Sequence, residues 1–376
     1  MGIMELPEDE RQRITDLSRE GYQHLRENNL GTAEERFRAI LEIEENNNYA
    51  LVGLGDTYRK RRRCREAVEF YKQCLVSKPD NNYALFGLAD CYKAMKQFNR
   101  AIEVWEEYLK HDSENVTVLT RVADAHRKAR NFKRSRELYY MALEQEPEND
   151  YALIGLGHLH YDFRMFREAL GFWRRMYDRP NQKPDIRVLT AIGNCHRKLK
   201  EFENGRDFFE EALQREQNNF YALFGIADCY RGLGESHKSL EYWNRFLEQY
   251  PENKVILTRA GDAYRELGDE DRAEMYYKRA LNIEFDLYAI FGLAMIAKSQ
   301  KRYEDALRSL SGLLESDPSN HRFGLEAANC ALKLGRSEQA RSILENQLAG
   351  GTKNREIHDL YDRLRAGRTK SEGNGA

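Results

Sequence analysis

The sequence of 376 residues predicts an all-α solenoid, an array of stacked helix pairs, and three observations support that prediction. The stretch "DNNYALFGLADCY" that begins at Asp80 recurs almost unchanged as "NNFYALFGIADCY" from Asn218. Registers of the same pattern begin about every 34 residues along the chain. Small and bulky apolar residues recur at fixed places within them. Because a catalytic site has to be built only once, repetition on this scale indicates a modular array.

Two columns of the aligned registers contain a small residue in every row. Two helices need such residues where their backbones come close together, because a larger side chain would overpack the contact. The first column contains Gly21, Gly55, Ala89, Ala123, Gly157, Gly193, Ala227, Gly261, Ala294 and Ala328. The second column, twelve residues further along, contains Ala33, Ala67, Ala101, Ser135, Ala169, Gly205, Ser239, Ala273, Ala306 and Ala340.

Bulky residues recur one helical turn away from the small columns, so that each pair shares a helix face. Leucine stands four residues before the first column in the first eight rows. Aromatic residues stand four residues after the second column, as Phe37, Tyr71, Trp105, Tyr139, Trp173, Phe209, Trp243 and Tyr277. Proline closes several rows, where a helix has to end before the next begins. Each register therefore predicts two amphipathic helices.

This pattern closely resembles the tetratricopeptide repeat, including the L-G-x-x-Y run in forms such as "LGDTY" and "LADCY". The resemblance implies antiparallel helix pairs that stack into a right-handed superhelix, with a concave groove lined by the first helix of each pair. It covers residues 14–354, with repeats that start near 14, 48, 82, 116, 150, 186, 220, 254, 287 and 321. We expect residues 1–13 to cap the N-terminal end, 355–367 to form a C-terminal capping helix and 368–376 to be disordered.

The segment "YDRPNQKPD" over 177–185 makes one repeat two residues longer than its neighbours. It contains two prolines and reads as an extended turn. Either a hinge between two half-arrays or a tolerated loop insertion would explain it.

Composition and motifs point away from catalysis. The net charge of -2 gives no attraction of the whole molecule to nucleic acid or an anionic membrane, although a local patch is compatible with it. The chain has no glycine-rich phosphate loop, nucleophile elbow or H-E-x-x-H motif, so we expect no enzyme, catalytic residue, cofactor or metal. Six unclustered cysteines predict reduced, buried thiols. Without an apolar signal peptide or spanning segment, the expected location is cytoplasmic.

Two charged columns fall on the first helices, where ligands bind in the family that the pattern resembles. One column is mostly aspartate and the other, three residues later, is mostly arginine or lysine, so each pair shares a helix face. The stacked rows would form ladders that either hold an extended peptide or make a solvated network of ion pairs. The ladder residues are Asp56, Arg59, Asp90, Lys93, Asp124, Arg127, Asn194, Arg197, Asp228, Arg231, Asp262 and Arg265.

From the third repeat onward, a second first-helix pattern has a period of two repeats. Aromatic rows alternate with mostly polar rows, in which threonine, arginine or valine stands instead. Tyrosine and arginine anchor interfaces more often than other residues, so the aromatic rows are candidate binding residues. Packing between adjacent repeats is the alternative explanation. The candidates in these rows are Tyr83, Phe86, Tyr151, Tyr221 and Phe224, with Ile154, Tyr288 and Phe291 in the same columns.

The leading hypothesis is a non-enzymatic scaffold that binds an extended segment of a partner protein in the groove. The alternatives are binding of single-stranded RNA, or self-assembly of the array. A peptide track predicts that Asp90→Ala with Asp228→Ala weakens partner capture with little change in melting. RNA binding predicts that the same changes strengthen it, because two negative charges are removed.

Overall fold

The structure, a computed structural model, describes residues 6–180 and 183–372. Over those residues the chain forms 21 helices and no strand, which confirms the predicted all-α solenoid. The chain divides into two compact units, Met1–Pro184 and Asp185–Ala376. Turns of a few residues join consecutive helices within each unit, so neighbours along the chain pack as antiparallel pairs.

The first unit contains ten helices, in which odd-numbered helices are the first and even-numbered helices the second of each pair. They are α1 (Glu8–Arg26), α2 (Leu30–Ile43), α3 (Asn48–Lys60), α4 (Cys64–Ser77), α5 (Asn82–Ala94), α6 (Phe98–His111), α7 (Val116–Lys128), α8 (Phe132–Gln145), α9 (Asp150–Asp162) and α10 (Phe166–Tyr177).

The second unit continues the same order, and a single last helix follows its final pair. Its helices are α11 (Ile186–Lys198), α12 (Phe202–Arg215), α13 (Phe220–Gly232), α14 (Ser236–Gln249), α15 (Lys254–Glu266), α16 (Glu270–Ile283), α17 (Leu287–Ser299), α18 (Tyr303–Ser316), α19 (His321–Lys333), α20 (Ser337–Ala349) and α21 (Arg355–Glu372).

An asparagine or aspartate fixes the start of every first helix from α3 to α19. The Asn47 side chain accepts a hydrogen bond from the backbone N–H of Ala50 at 3.0 Å, and Asn81 does the same for Ala84 at 3.0 Å. Such a cap satisfies a backbone donor that the helix leaves unpaired, and contributes about 1 kcal/mol. The sequence marks each start through this repeated residue.

The turn from the first helix to the second requires one residue with a left-handed backbone. In the second repeat this residue is Arg62, with φ 61°. Its N–H donates to the Arg59 carbonyl at 2.9 Å, and the N–H of Arg63 donates to the Tyr58 carbonyl at 3.0 Å. These bonds use the carbonyls that the helix end leaves free. The residues at this position are Asn28, Arg62, Lys96, Arg130, Arg164, Lys200, Gly234, Gly268, Lys301 and Gly335.

The core follows the predicted columns. Tyr71 and Trp105 are fully buried on the second helices, and the small residues of the second column are buried as well. The Tyr71 ring lies against Gly55 of its own repeat and Gly87 of the next, where an added Cβ would overlap it. Tyr71 therefore needs glycine on both first helices that flank it.

Close contacts between first helices alternate along each unit from α3 onward, and α1 also contacts α3. Close contacts join α1 to α3, α3 to α5 and α7 to α9 in the first unit, and α11 to α13 and α15 to α17 in the second. The later helix of each close pair carries a glycine over the preceding aromatic ring, namely Gly53, Gly87, Gly155, Gly225 or Gly292. In α7 and α15 the equivalent residue is arginine. The two-repeat period of the sequence thus corresponds to an alternation between close contacts at glycine and wider spacing at arginine.

The ends of the array differ in part from the predicted boundaries. Helix α21 continues to Glu372, whereas the sequence predicted that it ends at 367 with a disordered tail over 368–376. A single glycine at 367 costs a helix only about 1 kcal/mol, which is too little to end it. Residues 373–376 lie outside the described residues, as do 1–5 of the predicted N-terminal cap. In the longer segment 177–185, Asn181 and Gln182 also lie outside them.

Candidate partner-binding face

Acid–base pairs form at the predicted i,i+3 spacing along several first helices, although Lys93 pairs with Asp124 and not with Asp90 of its own helix. In α3, Arg59 Nη2 lies 2.8 Å from Asp56 Oδ1. Comparable i,i+3 pairs join Arg127 to Asp124 at 2.8 Å and Arg231 to Asp228 at 2.7 Å, and Arg197 donates to Asn194 at 3.1 Å. Each pair occupies one helix face.

The same basic residues also bind the acid of the next repeat. Arg59 Nη1 lies 3.4 Å from Asp90, and Lys93 Nζ lies 2.8 Å from Asp124. In the second unit, Arg197 Nη1 lies 2.6 Å from Asp228 Oδ2. A basic side chain therefore links two stacked rows. The ion-pair network, one of the two interpretations of the ladder from sequence, includes links of this kind between helices.

Tyrosines of the core column extend to the ladder from beneath. The Tyr71 hydroxyl donates to Asp56 at 2.8 Å, and the Tyr277 hydroxyl donates to Asp262 at 2.9 Å. Arg265, the base predicted to pair with Asp262, has no hydrogen-bond partner for its buried Nε within the described ranges. Arg259 instead lies 3.8 Å from Asp262. The last predicted row of the ladder is thus held by a hydroxyl more than by an ion pair.

The surroundings shift the pKa of these carboxyl groups in opposite directions. Burial alone would raise the pKa of Asp228, but Arg231 and Arg197 outweigh burial and lower it. Lys93 and Arg127 lower the pKa of Asp124 in the same way. For Asp262 burial dominates and raises the pKa, despite the nearby hydroxyl and two arginines. Asp124 and Asp228 are therefore firmly ionised and bound by their neighbours.

These contacts favour the ion-pair network among the two interpretations of the ladder. The Asp228 side chain is nearly inaccessible, and both of its oxygens accept from arginine. Asp90 likewise binds Arg59 on one side and Arg121 on the other. An extended peptide would have to displace these bonds. We therefore expect Asp90→Ala with Asp228→Ala to lower stability, contrary to the expectation from sequence that melting would hardly change.

The phenylalanines of the alternating pattern pack between rows. The Arg121 guanidinium lies 4.8 Å from the Phe86 ring centroid while it pairs with Asp90 at 2.7 Å. Arg197 lies 5.6 Å from the Phe224 ring in the same manner. Arg121 is a residue that the sequence analysis missed. Its signal is its place in the column where the neighbouring first helices carry glycine.

The tyrosines two residues into the aromatic first helices have a different environment. Tyr83 is 79% exposed and Tyr151 76% exposed in the first unit, and Tyr221 is 66% exposed in the second. Tyr49 and Tyr288, at the equivalent position, are also exposed. Folding does not bury these rings, although the burial of a large aromatic ring would be favourable.

A cavity of about 520 Å³ lies beside Tyr151 in the first unit. Its apolar and hydroxyl-bearing wall is formed by Thr117, Thr120, Tyr151 and Ile154, which come from α7 and α9. Lys93, Asp124 and Arg127 of the ladder line it as well. The exposed ring and the paired charges therefore border one recess that is large enough for side chains of another chain.

The fold defines the class of protein as an array of helix-pair repeats, and sequence comparison identifies the repeat. Models of the tetratricopeptide repeat match residues 50–82, 83–114, 186–219, 221–253, 256–286 and 297–364, more than half of the chain. The chain belongs to the tetratricopeptide repeat family, as its columns predicted. These repeats generally mediate protein–protein interaction, and scaffolds of the family are generally non-enzymatic.

Solved structures of similar fold have low sequence identity to the chain. The C-terminal part of a TPR repeat-containing protein from Cytophaga hutchinsonii is 18% identical, with a TM-score of 0.54, and the match covers 64% of this chain and 99% of that one. Yeast Tom70 is 14% identical, with a TM-score of 0.43 and coverage of 96% and 97%. The APC/C hetero-tetramer Cut9–Hcn1 is 12% identical, with a TM-score of 0.48 and coverage of 93% and 89%. No curated protein sequence matches the chain.

Membrane insertion was assessed from the helices themselves. None of the helices within residues 6–180 and 183–372 is both long and apolar enough to cross a membrane.

Proposed function

We propose that the chain is a non-enzymatic scaffold that binds an extended segment of a partner protein along the first-helix face of its repeats. The observation that carries this proposal is the set of exposed tyrosines, Tyr83 and Tyr151 above all, on a face whose charged groups are already paired. Tyrosine gives a rigid, amphipathic contact surface and frequently anchors protein interfaces.

The repeat geometry favours an extended segment over a globular surface. Tyr83 and Tyr151 lie two repeats apart, on α5 and α9, with the polar row of α7 between them. Thr117 and Thr120 of that row line the cavity beside Tyr151 and offer hydroxyl groups to a backbone. A segment that crosses successive rows meets a ring, a polar recess and a second ring.

In this proposal the ladder of ion pairs stabilises the binding surface. Its interlocked pairs hold successive first helices at fixed positions, so the tyrosines are presented from a rigid surface. Binding then needs little ordering of the scaffold, which preserves affinity. The ladder also leaves few free carboxylates on this face to repel the negatively charged groups of a partner.

The test uses a partner segment selected by the protein itself. Random peptides displayed on phage are selected on the full chain, and a winning peptide is labelled for fluorescence anisotropy. Tyr83→Ala with Tyr151→Ala is expected to weaken its binding at least tenfold, because a buried anchor tyrosine typically contributes about 1–2 kcal/mol. The melting temperature is expected to stay the same, since neither ring is packed in the fold.

Tyr140→Ala is the matched control, because Tyr140 is an exposed tyrosine on the second helix α8. It is expected to bind the peptide as the wild type does. Equal loss in the control and the double variant would contradict a specific role for the first-helix face. Full retention of binding in the double variant would remove the tyrosines from the site.

A further inference from the structure

The turns between first and second helices form a basic edge along the first unit. This basic edge consists of residues 59–66, 93–100, 127–134 and 161–168, at equivalent places in four consecutive repeats. The four windows contain sixteen Lys or Arg and three acidic residues. The equivalent windows of the second unit, 197–204, 231–238, 265–272, 298–305 and 332–339, contain twelve basic and ten acidic residues. The near-neutral total charge thus conceals a local concentration of positive charge.

Four residues of the basic edge have a strained backbone. Arg62, Lys96, Arg130 and Arg164 occupy the left-handed position of their turns, with φ between 60° and 63°. Glycine adopts this conformation without strain and occupies the same position in three turns of the second unit. Lysine occupies it in the other two, Lys200 and Lys301. All four positions in the basic edge thus carry a cation where glycine would be less strained.

Neighbouring carboxylates neutralise only part of the edge. Arg61 pairs with Glu34 at 2.5 Å, and Arg134 pairs with Glu106 at 3.0 Å. Arg130 donates to the Asp162 carbonyl at 3.3 Å, which places consecutive turns side by side. Among the described residues of the basic edge, the exposed Lys and Arg side chains without a hydrogen bond or ion pair are Arg62, Arg65, Lys96, Lys128, Lys133 and Arg164.

A cavity of about 840 Å³ opens between the second and third repeats at this edge. Its acidic lining residues are Glu66 and Asp90, which already bind arginine. Its basic lining residues are Arg59, Arg62, Arg63, Arg65, Lys93 and Arg121. The recess therefore combines concave shape with excess positive charge.

We propose that the basic edge binds an acidic segment of a partner protein. Guanidinium groups bind carboxylates through paired hydrogen bonds, and ammonium groups bind them as single charges. The row of unpaired cations provides at least one arginine or lysine in each of the four repeats. This surface is separate from the exposed tyrosines at the starts of the first helices, since Tyr49, Tyr83 and Tyr151 lie outside the four windows. Loss of one binding activity therefore leaves the other intact, and the two proposals fail independently.

The edge favours a protein segment over single-stranded nucleic acid and over a membrane surface. Single-stranded nucleic acid is held by aromatic side chains on which bases stack, and membrane surfaces take up apolar side chains. The four windows contain no exposed large hydrophobic residue within the described first unit. Charge without stacking or apolar surface suits glutamate- and aspartate-rich protein.

The test measures binding of a fluorescein-labelled, glutamate-rich peptide of about ten residues at low salt, about 0.05 M. The variant combines Arg62→Gly, Lys96→Gly, Arg130→Gly and Arg164→Gly. Because glycine relieves the backbone strain, it is expected to fold with an unchanged or higher melting temperature. Its affinity for the peptide is expected to fall at least about tenfold, as four exposed charge contacts are removed. Lys200→Gly with Lys301→Gly makes the same change in the second unit and is expected to bind normally.

A second variant, Arg65→Gln with Lys128→Gln and Lys133→Gln, leaves the turns untouched and is expected to weaken the peptide in the same way. Oligouridylate of matched charge and phosphatidylserine vesicles are measured in parallel. Failure of the peptide to bind, or equal binding to the wild type and both variants, would overturn the proposal. Tighter binding of oligouridylate or vesicles than of the peptide would also overturn it, and would assign the edge to nucleic acid or to membrane.

Discussion

Removal of the Asp228 carboxylate is the sharpest test of the ladder. Asp228 is 8% exposed and accepts from Arg197 at 2.6 Å and from Arg231 at 2.7 Å. In Asp228→Ala both arginines lose a charged acceptor. The Arg231 side chain is 37% exposed and can bind water instead, but the Arg197 side chain is 14% exposed and cannot easily do so.

The expected loss lies between two limits. Breaking a fully buried ion pair costs about 3–5 kcal/mol, and breaking an exposed pair costs about 0–1 kcal/mol. Since one of the two arginines can be rehydrated, we expect Asp228→Ala to lower the free energy of unfolding by about 2–3 kcal/mol. In Asp228→Asn an acceptor remains, as Asn194 shows by binding Arg197 at 3.1 Å, so about half of that loss is expected.

Urea denaturation followed by tryptophan fluorescence measures this loss in the second unit alone. Trp105→Phe and Trp173→Phe provide the background, because Trp243 is then the sole tryptophan and lies in α14. Asp207→Ala is the control, since Asp207 makes an exposed pair with Arg206, and we expect less than about 0.5 kcal/mol. Equal effects of Asp228→Ala and Asp207→Ala would refute a supporting ladder.

Two further predictions concern the core and the effect of acid. Gly87→Ala is expected to destabilise the protein by about 2 kcal/mol, because the added Cβ would overlap the Tyr71 ring. Gly171 lies on the open face of α10, so Gly171→Ala is expected to stabilise it by about 0.5–1 kcal/mol. Thermal melts should therefore shift in opposite directions for the two variants. Burial opposes ionisation of Glu34, but hydrogen bonds from Tyr58 and two arginines outweigh it and lower its pKa to about 2. Because the folded pKa is lowered, the wild type should be more stable than Glu34→Gln above pH 4.5, and that difference should vanish as the pH falls towards 2; denaturation at several pH values tests this.

The repeat columns made the fold predictable from sequence. Small residues four positions from leucine or an aromatic ring identify helix faces that pack closely, and Tyr71 and Trp105 are buried as that pattern requires. Each repeat supplies the same information again, so ten weak signals reinforce one another. The end of α21 was harder to predict, since a single glycine does not determine where a terminal helix stops.

The candidate site was only partly predictable, because contacts between repeats depend on stacking. The i,i+3 spacing predicts that Arg59 meets Asp56, and that pair is present. Spacing cannot show that Arg59 also reaches Asp90, or that Arg121 covers Phe86. Those contacts depend on the distance and angle between successive first helices, which cannot be read from the sequence of one repeat.

The solvent exposure of the aromatic side chains was the second property that the repeat columns could not predict. Phe86 and Tyr83 lie one turn apart in the same aromatic rows, yet the first packs between repeats and the second faces solvent. The residue two places into a helix lies at its end, where the neighbouring repeat does not cover it. Only the stacked structure thus distinguishes Phe86, which stabilises the fold, from Tyr83, which is a candidate to bind a partner.

Site-specific crosslinking tests the central claim most directly. The photoreactive p-benzoylphenylalanine replaces Tyr83, Tyr151 or, as the control, Tyr140, and each protein is irradiated with the phage-selected peptide. Crosslinks from positions 83 and 151 to different parts of the peptide, with none from 140, are the predicted result, because an extended segment would pass both first-helix tyrosines. Crosslinks from position 140 alone, or none at 83 and 151, would contradict the account.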